Sequence, residues 1–174
     1  MKKRKLLMIP GPIEFGPEVL RAMSLTTTSH VAPDFIKIFG NCLDLLKMVF
    51  EAPSGQPFLV AGGGTLAMDM AAANLIERGD KVLVLSTGYF GERFNAIFKR
   101  YGASTTLLKA PLGESIDLDE IADELQSNNY KALVMTHVDT STGVLADAQR
   151  IAELANTYGV ISILDGVCSV AAER

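Results

Sequence analysis

At residues 81–94 the chain reads KVLVLSTGYFGERF. The first five of these residues form a short run rich in Val and Leu, which is typical of a strand buried on both faces of a sheet. A polar turn ending at Gly88 interrupts the run, and an amphipathic segment over residues 90–101 follows, with Gly102 after it. Because glycine commonly ends helices, this stretch indicates strand, turn and helix, the repeating unit of an α/β fold.

The same alternation continues on both sides of this stretch. The predicted strands lie at residues 57–61, 81–85, 105–109, 132–136 and 160–164. The predicted helices lie at residues 17–23, 33–51, 65–78, 90–101, 117–126 and 147–158. Right-handed crossovers between such strands give an α/β fold of three layers, in which a mostly parallel sheet carries helices on both faces.

The first 56 residues differ from the rest because they lack this alternation. We predict that residues 1–56 form an N-terminal arm with a long helix that buries one apolar face. Residues 57–174 are predicted to form the sheet domain. The cluster PSGQP at residues 53–57 is a turn between them;.

Composition limits the classes of function. With 174 residues, of which 48% are hydrophobic, the chain can bury a substantial core;. The formal net charge of -4 gives no electrostatic reason to expect nucleic acid or an anionic membrane as a partner;. Cys42 and Cys168 lie far apart without metal-ligand spacing, so we expect a reducing compartment and no metal site;.

The glycine-rich turn at residues 62–65, GGGT, follows the first predicted strand and opens a helix. Free backbone N–H groups at a helix N-terminus bind phosphate well, and Thr65 adds a hydroxyl. A plain tight turn would also need these glycines. The turn also fits the dinucleotide pattern through Gly62, Gly64 and Ala67, but no acidic residue ends the next strand, and Asp80 precedes that strand;.

Asp165 ends the last predicted strand, where ligands bind in open α/β sheets;. A carboxylate there needs a partner, and a protonated pyridine nitrogen would be one. A capping role or a metal ligand is the alternative. The loop THVDTSTG at residues 136–143 brings His137, Asp139 and Ser141 close in sequence, but without the G-x-S-x-G motif a hydrolase is disfavoured;.

Taken together, these segments resemble the class V aminotransferases of the pyridoxal-phosphate (PLP) fold type I, in particular the alanine:glyoxylate and serine:pyruvate group. The similarity covers essentially the whole chain. The segments that carry it are PGP at 10–12, SH at 29–30, PDF at 33–35, AGGGT at 61–65, TGYFGER at 87–93, THVDTSTGV at 136–144 and LDGVCS at 164–169.

The resemblance implies which residues hold the phosphate and the ring faces of PLP. Gly63, Gly64 and Thr65 are implied to bind the phosphate. Phe90 is implied to stack on the pyridine ring, and Val167 to pack against the opposite face.

Three further roles follow from the same resemblance. Asp165 is implied to be the catalytic partner of the ring nitrogen, and Thr140 to approach the ring hydroxyl. Gly11 is implied to line the substrate pocket.

The implied activity is PLP-dependent transamination between alanine or serine and glyoxylate or pyruvate, in a cytoplasmic homodimer. The family's Schiff-base lysine and small C-terminal domain lie beyond Asp165, and no lysine follows Asp165 here. We therefore expect an incomplete large domain that is inactive alone. An NAD(P)-dependent oxidoreductase and a non-catalytic cofactor-binding or dimerising module remain the alternatives.

Overall fold

The computed structural model describes residues 5–173. The chain divides between Val60 and Ala61 into two compact units. The predicted boundary between residues 56 and 57 and the predicted absence of a small C-terminal domain stay predictions.

The first unit contains two helices, α1 (Pro17–Met23) and α2 (Pro33–Val49). Both begin with proline, whose fixed φ suits the first helical position and whose missing N–H costs nothing there. The rings of Phe35 and Phe39 pack one turn apart on α2, with centroids separated by 6.0 Å. No residue of α2 is fully buried, but Phe35, Leu43 and Leu46 of its apolar face are half-buried, and the predicted burial of that face stays a prediction.

The second unit alternates strands and helices. Its elements, in chain order, are α3 (Gly64–Leu75), β1 (Lys81–Ser86), α4 (Tyr89–Arg100), β2 (Ser104–Lys109), α5 (Leu118–Ser127), β3 (Ala132–Thr136), β4 (Val138–Asp139), β5 (Val144–Leu145), α6 (Ala148–Thr157) and β6 (Ile161–Asp165). None of the helices within residues 5–173 is long and apolar enough to cross a membrane.

The main sheet has four parallel strands in the order β2, β1, β3, β6. The register of β3 and β6 runs from Ala132 beside Ile161 to Thr136 beside Asp165. The short strands β4 and β5 form a separate antiparallel pair. Because all four main strands are parallel, their carboxyl ends lie along one edge of the sheet.

Alternate residues of each strand fill two cores, one on each face of the sheet. On one face Leu83 and Leu133 pack with Ile121 of α5 and Ile151 of α6. The other face holds a second core made by α3 and α4, whose members include Met68, Ala72, Val82, Phe94, Phe98 and Val134. The predicted three-layer α/β fold is therefore confirmed.

The helix ends largely follow the predicted signals. Asp117 and Asp147 are N-caps whose carboxylates accept hydrogen bonds from the N–H groups of Asp119 (2.9 Å) and Arg150 (3.2 Å);. The helix predicted at 65–78 ends earlier, at Leu75, because Ile76 is extended.

The predicted strand at residues 57–61 is wrong. This run has the composition of a strand, but Phe58, Leu59 and Val60 are exposed and belong to no sheet. A strand exists only through hydrogen bonds to a neighbouring strand, and none pairs with this run in the part of the chain that the structure describes;.

Candidate functional site

A cavity of about 180 Å³ lies within the second unit at the carboxyl edge of the sheet. It joins the start of α3, the start of α4 and the ends of β3 and β6. Its lining residues are Gly64, Thr65, Met68, Phe90, Thr136, Val138, Asp165, Val167 and Cys168. Five of the residues singled out in the sequence therefore meet around one space: Gly64, Thr65, Phe90, Asp165 and Val167.

The start of α3 offers this cavity an anion-binding surface. Gly63 is the N-cap, with φ −87° and ψ 167°, and the N–H of Leu66 already bonds to its carbonyl at 2.9 Å. The N–H groups of Gly64 and Thr65 have no acceptor inside the helix, and the first turn carries no acidic residue;. A Cβ on Gly63 would meet no atom within 4 Å, so the space before these amides is open.

Asp165 is the last residue of β6 and brings a carboxylate to the cavity. Its Oδ1 accepts a hydrogen bond from the N–H of Val167 at 3.1 Å, which fixes one carboxylate oxygen. No group of three or more His, Cys, Asp or Glu side chains is arranged to hold a metal ion within residues 5–173. The carboxylate is thus suited to a cationic partner that comes from a ligand.

Two apolar side chains, Phe90 and Val167, also line the cavity. Phe90, near the start of α4, lines the cavity, and its ring packs edge-on against Tyr89 at a centroid distance of 5.2 Å. Val167 is exposed beside the cavity, and a Cβ on Gly64 would lie 3.2 Å from its Cγ2. A flat aromatic ligand matches this apolar, narrow arrangement.

The family model of the class V aminotransferases matches residues 19–174 of this chain. The chain belongs to the class V aminotransferase family. Membership confirms the resemblance found in the sequence and implies PLP as the cofactor.

Individual relatives agree with this family. The chain is 38% identical to alanine–glyoxylate aminotransferase 1 of Saccharomyces cerevisiae, over 97% of this chain and 46% of the relative. It is 33% identical to alanine–glyoxylate aminotransferase of Rattus norvegicus, over 96% of this chain and 40% of the relative. The crystal structure of alanine–glyoxylate aminotransferase from Nostoc sp. superposes with a TM-score of 0.93 at 32% identity, covering 100% of this chain and 46% of that one. The chain spans less than half the length of these relatives.

The cavity fits PLP at both ends of the cofactor. The open space at Gly63 and the free amides of Gly64 and Thr65 suit a phosphate;. The carboxylate of Asp165 suits the protonated nitrogen of a pyridine ring;.

Three residues that the resemblance assigned to the site are not among those lining the cavity: Gly63, Thr140 and Gly11. Gly63 is the N-cap of α3, directly before Gly64, which does line it. Thr140 is half-buried on the loop after β4, and Val138 and Thr136 line the cavity instead. Gly11 lies in the first unit, is exposed and precedes a cis peptide bond to Pro12. The ring-hydroxyl role of Thr140 and the substrate role of Gly11 stay predictions.

Asp139 has a structural role that the sequence did not indicate. It is fully buried, and its Oδ2 accepts hydrogen bonds from the N–H groups of Phe90 (3.0 Å) and Gly91 (3.4 Å). Its Oδ1 accepts from the N–H (3.1 Å) and the hydroxyl (2.6 Å) of Ser141. Asp139 of β4 therefore caps α4 from a part of the chain distant in sequence, since the N-cap residue Gly88 has no side chain to do so;.

The same contacts argue against the hydrolase alternative. The hydroxyl of Ser141 donates to Asp139 and accepts a hydrogen bond from the N–H of Tyr89 at 2.9 Å. Both carboxylate oxygens of Asp139 accept hydrogen bonds from α4 and Ser141. Asp139 therefore does not orient His137 as the base of a hydrolase.

Asp80 lies at the opposite edge of the sheet from the cavity, just before β1. Its carboxylate accepts hydrogen bonds from Nζ of Lys131 and from the N–H of Glu77, both at 2.7 Å. Both hydrogen bonds lower the pKa of Asp80 below its ordinary value, and the bond from Lys131 has the larger effect;. Asp80 is therefore engaged in structure and not available as the ribose-binding acid of a dinucleotide site.

Proposed function

We propose that this chain supplies the cofactor half of the active site of a PLP-dependent aminotransferase that uses glyoxylate as an amino acceptor. One observation carries the proposal: a single cavity is lined both by an uncapped helix N-terminus and by the Asp165 carboxylate. These two groups match a cofactor that carries a phosphate and a basic ring nitrogen.

The phosphate is held by the N–H groups of Gly64 and Thr65 and by the hydroxyl of Thr65, with Gly63 leaving the space that the phosphate occupies. These groups donate hydrogen bonds, and the dipole of α3 adds favourable electrostatics;.

Phe90 and Val167 would hold the ring between them, Asp165 would pair with its nitrogen and Thr140 would approach its hydroxyl. When bound, PLP supplies an electron-withdrawing ring that stabilises negative charge at the α-carbon of an amino acid. The role of Asp165 is to keep a proton on the ring nitrogen, since a carboxylate close to a cation favours the charged form. Phe90 and Val167 exclude water from the two ring faces;.

The substrate proposal rests on the names of the relatives. Glyoxylate recurs as the acceptor in relatives whose donors differ, namely alanine, (S)-ureidoglycine and L-aspartate. We propose alanine or serine as the donor and glyoxylate or pyruvate as the acceptor, in a cytoplasmic homodimer. Glyoxylate is supported as the acceptor because these relatives share it although their donors differ.

The test has a binding arm and a turnover arm. Calorimetry on the chain measures its affinity for PLP and, as the competing hypothesis, for NADH. Turnover of alanine with glyoxylate is followed through pyruvate formation in the gene product that contains this chain. The expected result is PLP binding that NADH does not displace, together with pyruvate formation. Tight NADH binding that PLP cannot displace would overturn the proposal.

A further inference from the structure

The hydroxyl of Thr136 is an unexplained polar group at the cavity. Thr136 ends β3, is 5% exposed and lines the cavity. Its Oγ1 is buried and has no hydrogen-bond partner within residues 5–173. Burying a hydroxyl without a hydrogen-bond partner costs free energy. An unpaired hydroxyl at the wall of a ligand cavity therefore indicates a hydrogen bond that forms when a ligand is bound.

Strand alternation fixes the direction of this side chain. Within β3, Val134 packs in the core on the α3 and α4 face, while Met135 packs in the core on the other face. Thr136 follows Met135 and therefore returns to the face of Val134. The cavity lies on this face, since α3 and α4 supply part of its lining.

Asp165 shares that face and is the direct neighbour of Thr136. The two residues are register partners on adjacent parallel strands. Ile163, two residues before Asp165, packs against the α3 and α4 core, so the side chain of Asp165 points to the same side as that of Thr136;. Both side chains line the same cavity.

We propose that Thr136 is a positioning residue for Asp165 and donates a hydrogen bond to its carboxylate when the ring of PLP is bound. This inference rests on the proposed function. Oδ1 of Asp165 already accepts the N–H of Val167, and we assign Oδ2 to the ring nitrogen. A carboxylate oxygen accepts more than one hydrogen bond, so Oδ2 takes the Thr136 hydroxyl as well, and the carboxylate loses its freedom to rotate away.

Thr87 provides a matched control. Its Oγ1 is also buried without a partner in the described part of the chain, and the residue is 7% exposed. It directly follows β1 and lines a smaller cavity, together with Leu85 and Met135 from the opposite core. Thr136 lies between the two cavities and lines both, whereas Thr87 does not line the proposed cofactor cavity. Replacing Thr87 by Val removes the same buried hydroxyl without touching the proposed cofactor cavity.

The experiment measures the affinity for pyridoxamine 5'-phosphate by calorimetry, together with the thermal midpoint of the ligand-free chain. This probe cannot form a Schiff base with a lysine, so its affinity reports non-covalent contacts alone. Thr136→Val is expected to bind the probe about tenfold more weakly, because it loses one hydrogen bond to a charged group. Its thermal midpoint should be no lower than that of the wild-type chain. Thr136→Ser, which keeps the hydroxyl, is expected to restore binding, and Thr87→Val to leave it unchanged.

A double-mutant cycle tests whether Thr136 acts through Asp165. In an Asp165→Ala background, Thr136→Val is expected to have no further effect on affinity. Wild-type affinity in Thr136→Val, or a loss that persists in the Asp165→Ala background, overturns the positioning role while leaving the proposed function intact. If the wild-type chain does not bind the probe at all, the proposed function itself fails, and the inference fails with it.

Discussion

The backbone of Gly88 lies so close to the carboxylate of Asp139 that a Cβ on Gly88 would be 2.7 Å from the carboxyl carbon. These residues come from the turn before α4 and from β4. Their approach lets a buried carboxylate reach the N–H groups of the first turn of α4, which carries Phe90 to the cavity. The stability of this turn and the placement of Phe90 therefore depend on one contact between distant parts of the chain.

Asp139→Ala is expected to lower the free energy of unfolding by about 2–4 kcal/mol, because it removes a cap and leaves several buried donors without an acceptor. Urea denaturation measures this change. Asp147→Ala is the matched control. The Asp147 carboxylate is half-exposed and accepts one backbone hydrogen bond from its helix, that of the Arg150 N–H, so its loss should cost about 1 kcal/mol;. Equal losses in the two variants would contradict the capping role of Asp139.

Gly88→Ala tests the close approach itself. The φ of 173° at Gly88 is extended and open to any residue, so backbone strain is not the reason for glycine. The reason is contact: an added Cβ would lie 2.5 Å from Oγ of Ser141 as well as against Asp139. We expect a loss of about 1–3 kcal/mol in urea denaturation, typical of overpacking. Full stability in Gly88→Ala would show that the loop moves away freely.

Gly63→Ala is expected to separate folding from ligand binding. The backbone angles of Gly63 suit alanine, and the added Cβ would meet no atom within 4 Å, so the free energy of unfolding should change by less than about 0.5 kcal/mol;. The Cβ would instead occupy the space proposed for the phosphate. Affinity for PLP should fall, whereas affinity for pyridoxal, which lacks the phosphate, should not. Equal losses for both compounds would place the phosphate elsewhere.

The sequence predicted the elements whose signals are local. Alternating apolar runs located β1, β2, β3 and β6 within a residue or so, and the acidic caps at Asp117 and Asp147 located two helix starts. Asp139 was beyond this reasoning, because its partner Phe90 lies 49 residues earlier. The strand expected at residues 57–61 failed for the same reason, since composition does not supply a hydrogen-bonded neighbour.

Some residues of the candidate site could likewise be predicted from the sequence, and others could not. The strand-end rule predicted Asp165, which ends β6 and lines the cavity;. The glycine turn follows a run that forms no strand, and its prediction depended instead on glycines that open a helix;. Thr136 was not predicted, since its importance depends on register with Asp165 and on the lack of any other hydrogen-bond partner among the described residues. Neither property is visible in a single sequence.

The ion pair between Asp80 and Lys131 predicts a pH dependence of stability. The hydrogen bond from Lys131 lowers the pKa of Asp80, so the contribution of Asp80 is present above the ordinary pKa of an aspartate and is lost as the pH falls through the lowered value;. The hydrogen bond to Asp80 raises the pKa of Lys131, so its contribution is present below the ordinary pKa of a lysine and is lost as the pH rises through the raised value.

Asp80→Asn should therefore flatten the acid side of the stability curve, measured by urea denaturation between about pH 5 and pH 2. Asp44→Asn is a suitable control, because Asp44 forms an exposed pair with Lys47 on one helix at 3.7 Å, and such pairs contribute little;. A wild-type acid slope in Asp80→Asn would mean that the pair with Lys131 does not persist in solution.

Asp165→Asn tests the proposed pairing between the carboxylate and the ring nitrogen. The amide keeps the size of the side chain but not its charge, so affinity for pyridoxamine 5'-phosphate should fall about tenfold or more. A second ligand, in which carbon replaces the ring nitrogen, isolates the contact. The wild-type chain should prefer the nitrogen-containing ring, and Asp165→Asn should largely lose that preference while its affinity for the carbon analogue stays unchanged. If Asp165→Asn still prefers the nitrogen-containing ring, a group other than the Asp165 carboxylate recognises the ring nitrogen.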